Sequence, residues 1–289
     1  MHNLFKRILK LLPDRVFIDI KYYAHFHRFP NLNNPKTFNE KIQWLKLNDR
    51  RSVYTTMVDK FQAKEYISKI VGAEYTIPTI GVWNSFDEID FSSMPNQFVL
   101  KTTHDCGGIV ICKNKDMFDK SVARSLLEKH LREDYFYEGR EWPYKNVQHR
   151  IIAEPYIENT ITGDLKDYKI FAFDGQPRVL FVASDRQNQQ EETKFDFYDM
   201  EFRHLDIQNG HPNSKEKINV PSRFEEMKRL AALLSKGIPN VRVDFYEANG
   251  KLYVGELTLF HYSGFVPFRP DEWDYKLGSW ISLPIGVKK

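Results

Sequence analysis

The sequence predicts an α+β fold. Roughly the first 60 residues carry helical periodicity. Glycine-bearing β-hairpins follow, with helices set between them rather than in strict strand–helix alternation.

Each element has a local reason. Thr37 stands where a helix N-cap is expected, and Glu40 three residues on completes a capping box. Phe38, Ile42 and Leu45 then share one helical face. A second helix is expected over residues 58–71, closed by Gly72. Residues 75–78 and 80–83 are short and β-branched. Residues 97–102 read as a strand that turns through Gly107 and Gly108 and returns over residues 109–112. Residues 120–132 are helical, with Val122, Leu126 and Leu127 suitably spaced, whereas the aromatic stretch 134–145 fits no class. Residues 150–154 form a strand that meets Pro155. Residues 167–173 and 177–183 pair around Asp174 and Gly175. The polar stretch 187–222 is expected to be a loop-rich region or a flap. Residues 224–236 form a helix through Met227, Leu230, Leu233 and Leu234. The last hairpin, residues 240–247 and 251–257, turns on Asn249 and Gly250.

Composition narrows the function. With 42 Lys and Arg against 39 Asp and Glu, the net charge of +3 is too near neutral to announce a nucleic-acid partner. Two cysteines, Cys106 and Cys112, do not make a disulfide scaffold, and their usage suits a reducing, cytoplasmic setting. No stretch approaches the ~20 apolar residues that span a bilayer. The N-terminal segment carries Lys6, Arg7 and Lys10 among leucines without a small-residue cleavage site, so no signal peptide is expected. It reads as an amphipathic helix packed on the core or, alternatively, as a peripheral contact with the inner face of a membrane.

Four places carry candidate chemistry. On the last hairpin, alternation puts Arg242 and Asp244 on one strand face and Glu256 and Thr258 on one face of the partner strand. The turn is expected to set these faces side by side. Such a cluster is costly to bury unpaired, and a divalent ion would resolve it. Lys101 closes an apolar strand before the loop His104 to Gly108, whose glycines allow backbone N–H groups to approach phosphate oxygens. Glu154 ends a strand at a non-helical linker with Tyr156 and Ile157, suited to an adenine edge and a ribose. Asp167 and Lys169 share a strand face, and Arg186 follows the next strand; an inward Lys and Arg suit a polyphosphate. Taken singly, each also reads as a surface ion pair, a hairpin loop or an ordinary strand end. Neither a nucleophile elbow nor a zinc-protease motif is found.

In this order the four resemble the ATP-grasp superfamily. Residues 241–265 resemble the corresponding end of D-alanine–D-alanine ligases. Residues 35–41, Asp59-Lys60, 98–108, 167–169 and 255–258 resemble the TupA-like ATP-grasp family of bacterial surface-polysaccharide clusters. The resemblance implies an ATP-grasp fold with ATP between two β-rich lobes. It divides the chain into a helical N-terminal region (1–95), a small lobe (96–155) and a large lobe (156–289). It implies that Lys101 and Lys169 contact phosphates under the loop of His104, Gly107 and Gly108, and that Glu154, Tyr156 and Ile157 hold adenosine. Asp244 and Glu256 would bind Mg²⁺, with Thr258 where many relatives have a metal-binding Asn, and Arg242 would steady an oxyanion. The implied reaction joins a sugar-acid or glycan carboxylate to an amino-acid amine. The competing readings are a glycosyltransferase and a kinase-like or non-catalytic ATP-binding protein.

Overall fold

The structure is a computed structural model that describes residues 9–160, 165–184, 192–214 and 216–284. The helical opening comprises α1 (Asp14–Phe26), α2 (Phe38–Asn48), α3 (Val53–Val58) and α4 (Gln62–Val71). Thr37 caps α2 through the expected box. Its hydroxyl accepts from the Glu40 N–H at 3.2 Å, and the Glu40 carboxylate accepts from the Thr37 and Lys36 N–H groups at 3.3 and 3.0 Å. The helix expected over residues 58–71 starts later, at Gln62, because Val58 ends the separate helix α3 and the chain breaks at Asp59. That residue leaves helical geometry, and its carboxylate accepts from the Phe61 and Gln62 N–H groups, starting α4. Its other oxygen takes Arg150 at 2.7 Å, a contact across 91 residues that no local pattern foretells.

Strands β1 (Gly81–Trp83), β2 (Phe98–Thr102), β3 (Ile109–Cys112) and β4 (Ile151–Pro155) form an antiparallel sheet in the order β1-β4-β2-β3. One face carries Phe98, Leu100, Ile151 and Ala153, which pack on Ala123 and Leu127 of α5 (Lys120–Arg132). The other face presents Val99, Lys101, Ile152 and Glu154, with Ile109 and Ile111 on the edge strand. The unclassed stretch 134–145 contains the short helix α6 (Phe136–Gly139) and a 3₁₀ turn.

The second sheet comprises β5 (Asp167–Phe173), β6 (Gln176–Ser184), β7 (Lys194–Tyr198), β8 (His204–Leu205), β9 (Val241–Ala248) and β10 (Lys251–Thr258), in the order β10-β9-β5-β6-β7-β8. β7 and β8 lie inside the stretch expected to be loop. Phe195 and Phe197 alternate with Lys194 and Asp196, and both aromatic rings are buried. The polar flanks hid that two-residue period. Helix α7 (Phe224–Ser235) lays Met227, Leu230, Ala231 and Leu234 over one face of this sheet. On the other, Phe38 of α2 meets Phe171 and Phe268 edge-on, with ring centroids 5.9 and 5.5 Å apart.

Helix α8 (Glu272–Trp280) closes the fold against the start of α2. The Asp274 carboxylate accepts from the Asn39 N–H at 2.9 Å, and Gly278 lies so close that a Cβ there would collide with the backbone of Lys36 and Thr37. Gly278→Ala is expected to cost about 1–3 kcal/mol by forcing these helices apart. Thr37→Ala, which removes only a cap, is expected to cost about 1 kcal/mol. Urea unfolding of both variants measures the difference.

Candidate active site

Asp244 sits at the centre of three strands. Its direct partners are Lys169 on β5 and Glu256 on β10, so all three side chains rise from one face. Arg242, two residues along the same strand, grips the Asp244 carboxylate with two hydrogen bonds of 2.6 and 2.7 Å, and Lys169 donates to the same carboxylate. Lys169 also lies 3.4 Å from Asp167. Burial alone would raise the Asp244 pKa, but Arg242 and Lys169 pull it below the usual carboxylate range. Burial pushes the Lys169 ammonium below the ordinary lysine range; Asp244 opposes this and Arg242 adds to it.

The sharing of a face by Asp244 and Glu256 depends on a bulge. The two-residue turn at Asn249 and Gly250 sets Val254 opposite Phe245, and continued register would put Gly255 opposite Asp244. Instead the register shifts at Gly255, and Glu256 takes that place. A Cβ at position 255 would drive into the Tyr246 ring, so glycine is needed there. Without the bulge, Glu256 would point to the opposite face.

Arg242 is held on every side. Its Nη2 donates to the Thr258 hydroxyl at 3.0 Å, and its Nη1 donates to His261 Nδ1 at 2.6 Å. His261 must therefore carry its proton on Nε2, which donates to Asn209 Oδ1 at 2.8 Å. Burial, then Arg242 and Lys169, hold His261 well below the ordinary histidine pKa, in keeping with a neutral ring. After His261 the chain runs through three consecutive left-handed residues, Tyr262, Ser263 and Gly264. Two are not glycine, a costly arrangement that the surroundings impose. Gln43 donates to the carbonyls of Ser263 and Gly264 at 3.0 and 2.7 Å, and buried Lys46 donates to the Ser263 carbonyl at 2.9 Å.

A second cluster lies on the four-stranded sheet. Glu154 receives Lys101 at 2.6 Å and Lys64, from α4, at 2.5 Å. Burial would raise the Glu154 pKa, but the two ammonium groups bring it below the usual range. Beside them Ile109 and Ile111 are exposed apolar side chains. From Pro155 the chain passes Tyr156 and Ile157 into a linker tied to the β9–β10 turn. Asn249 accepts from the Thr160 N–H and hydroxyl at 3.1 and 2.8 Å and donates to the Glu158 carbonyl at 3.0 Å.

The loop from His104 to Gly108 follows the strand that carries Lys101. His104 is turned inward: its Nε2–H lies 3.1 Å from the carbonyls of His130 and Glu133, and its ring stacks on His149 at 3.6 Å. It anchors the loop to the end of α5. Asp105 accepts from Thr102 and binds His130, while Lys60 donates to the Asp105 carbonyl. Gly107 and Gly108 serve close approach, since a Cβ would meet His130 at the first and Thr102 at the second. Cys106 is solvent-accessible at the loop tip, 3.2 Å from the Tyr135 hydroxyl. Its recessed setting, then the charge of Glu256, push its thiol up to about 11, so it is a neutral thiol rather than a thiolate.

The structure thus brings Lys169, Arg242, Asp244, Glu256 and Thr258 into one cluster and Lys101 and Glu154 into another. Arg186 lies outside the described residues. Sequence reasoning missed Lys64 and His261 as site residues and noted Lys60 only as part of the family resemblance; Lys60 lies in the turn before α4 and Lys64 in its first turn, and only the fold brings them to the loop and to Glu154. Among the described residues no group of three or more His, Cys, Asp or Glu is arranged to hold a metal. The donor set suits Mg²⁺ all the same, since that ion takes one or two carboxylates and completes its shell with phosphate and water. Glu256 makes no hydrogen bond or ion pair among the described residues and is the uncommitted donor; Asp244 is its neighbour, now engaged by two cations. The Thr258 hydroxyl is taken up by Arg242. A cavity of about 780 Å³ lies apart, by Asn48, Arg51, Asp174 and Gly237, where Arg51 is already paired with Asp49.

The model of the TupA-like ATP-grasp family matches residues 40–282 of this chain. A comparison with curated proteins finds no match. Among solved structures, the D-alanine–D-alanine ligase of Bacillus anthracis complexed with ATP is 16% identical, with 71% of this chain and 54% of that one covered at a TM-score of 0.39. The D-alanine–D-alanine ligase of Helicobacter pylori is 14% identical, with 85% and 69% covered at 0.45. The ATP-grasp ligase PsnB complexed with a minimal precursor is 10% identical, with 72% and 54% covered at 0.40. The chain spans just over half the length of the first and third of these.

The two carboxylates should behave differently on substitution. Asp244→Ala strands two buried cations and is expected to cost about 3–5 kcal/mol in urea unfolding. Glu256→Gln breaks no direct pair and is expected to stay within about 1 kcal/mol of the parent.

Proposed function

The chain belongs to the TupA-like ATP-grasp family, and from that premise we propose that it is an ATP-dependent carboxylate–amine ligase. The observation that carries this reading is the pair of cation–carboxylate clusters on two different sheets, with a glycine loop after the strand that carries Lys101. Lys101 and Glu154 stand on one sheet, with Lys64 reaching them from α4, and Lys169, Arg242, Asp244 and Glu256 stand on the other. A nucleotide has both charge and an apolar ring to satisfy. The cations suit its phosphates, and the exposed Ile109 and Ile111 beside Glu154 suit adenine.

In this reading Lys101 and Lys169 bind phosphates and the loop from His104 to Gly108 covers them. Glu154, Tyr156 and Ile157 hold adenosine at the linker, and Asp167 positions Lys169. The assigned parts are a helical region (1–95), a small lobe (96–155) and a large lobe (156–289). Lys169 and Arg242 already face three carboxylates, Asp167, Asp244 and Glu256, so a polyphosphate adds charge that these side chains alone leave uncompensated. Asp244 and Glu256 would hold Mg²⁺, which when bound offsets charge on the transferring phosphoryl group. The substrate carboxylate oxygen attacks the γ-phosphorus, and ADP leaves. The amine then attacks the acyl carbon, loses a proton and expels phosphate, giving the amide. Arg242, fixed by Asp244, Thr258 and His261, stands ready for the oxyanion of that second step without having to reorganise.

The carboxylate is assigned to a sugar acid or glycan and the amine to an amino acid, in cytoplasmic synthesis of a surface polysaccharide near the inner face of the membrane. The family resemblance supports these finer assignments. No helix among the described residues is long and apolar enough to cross a membrane, so any membrane contact is taken as peripheral.

Purified protein with ATP, Mg²⁺ and a panel of sugar acids and amino acids should release ADP and phosphate only when both acceptors are present. Lys101→Ala and Glu256→Gln should each lower turnover by about 10²-fold or more. Sugar transfer from a nucleotide sugar without ATP consumption would overturn the reading.

A further inference from the structure

Helix α1 has two apolar faces. Phe17, Ile18 and Tyr22 point inward and pack with Phe265. Val16, Ile20 and Tyr23 fall on the opposite side at helical spacing, 42%, 47% and 49% exposed. The stripe is extended by Leu11 before the helix, 84% exposed, and by Phe29 after it, 65% exposed. Tyr23 and Phe29 form a ring pair with centroids 5.0 Å apart. This is a fixed presentation, not a loose end. Arg140 donates to the carbonyls of Leu9, Lys10 and Leu12 at 2.8, 3.2 and 3.1 Å and so pins the segment that holds Leu11 outward.

We propose that this stripe, at the end of the chain whose sequence carries the basic excess, docks the protein on an anionic lipid surface. Charge supports a lipid occupant. Residues 1–29 contain six Lys and Arg against two Asp, an excess of four, whereas the excess for the whole chain is three. The basic excess is therefore confined to the end that carries the apolar stripe, a combination suited to anionic headgroups above acyl chains. Tyr23 has the apolar body and polar tip favoured at a membrane interface. A second copy of the chain is the weaker occupant, because five exposed side chains fall well short of the roughly 800 Å² per partner of a stable interface. Since α1 packs on Phe265, the residue after Gly264, docking through the stripe would set the Arg242–His261 end of the site just behind the membrane-facing helix. The inference stands on this surface and does not require the ligase reading.

Flotation of the full chain with vesicles tests it without nucleotide or substrate. The protein should float with mixed phosphatidylglycerol–phosphatidylcholine vesicles, should float far less with phosphatidylcholine alone, and should detach as salt is raised. The double variant Val16→Ser, Ile20→Ser should bind the anionic vesicles about tenfold more weakly or less. Its thermal unfolding should match the parent, since both side chains are exposed. Equal binding by the double variant, or no binding to anionic vesicles at low salt, would overturn the proposal. A concentration-dependent dimer in light scattering that the same substitutions abolish would also overturn it, in favour of a second copy.

Discussion

One carboxylate, Asp244, holds two buried cations from neighbouring strands, and the site is built around that shared contact. Lys169 is buried and Arg242 nearly so, and each would be costly there alone. Burial works against both charges; Asp244 offsets it in part for Lys169, while for Arg242 it more than offsets it and leaves the guanidinium pKa raised. The arrangement needs β5, β9 and β10 in register, which makes the bulge at Gly255 part of the chemistry. A sheet that ran on from the Asn249–Gly250 turn without that bulge would carry Asp244 and Glu256 on opposite faces.

Rigidity spreads outward from this centre. Arg242 fixes the tautomer of His261, His261 engages Asn209, and the left-handed turn beyond it is gripped by Gln43 and Lys46 of α2. The helical opening therefore supports the end of the site assigned to the oxyanion. The small sheet holds its own charges separately: Glu154 gathers Lys64 and Lys101 from a helix and a strand. The linker after β4 is bonded to the β9–β10 turn at Asn249, and Thr76 bridges to Val254 of the large sheet.

Local patterns were legible where backbone and side chain obey short-range rules. The capping box at Thr37 and Glu40, the hairpins at Asp174-Gly175 and Asn249-Gly250, and most of the apolar face of α7 follow from spacing alone; Leu233, expected on that face, is exposed, and Ala231 packs instead. Arg242 and Asp244 could be read as neighbours because alternation puts both on one strand face; that β5 sets Lys169 beside them comes only from the strand pairing. Asp59 could not be read as a helix break, since its reasons are a cap and an ion pair with Arg150 far along the chain. Strand β7 was hidden by polar flanks. Lys64 looked like an ordinary helix residue until the fold set it against Glu154. The inward role of His104 depends on the end of α5, which no loop motif specifies.

The most direct test is a crystal structure with a non-hydrolysable ATP analogue and Mn²⁺, the ion located by its anomalous signal. The account predicts Mn²⁺ at Glu256 and Asp244, phosphates on Lys101 and Lys169, and the adenine beside Glu154 and Ile111. A nucleotide bound elsewhere, such as the cavity beside Arg51 and Gly237, with Asp244 and Glu256 free of metal, would contradict it.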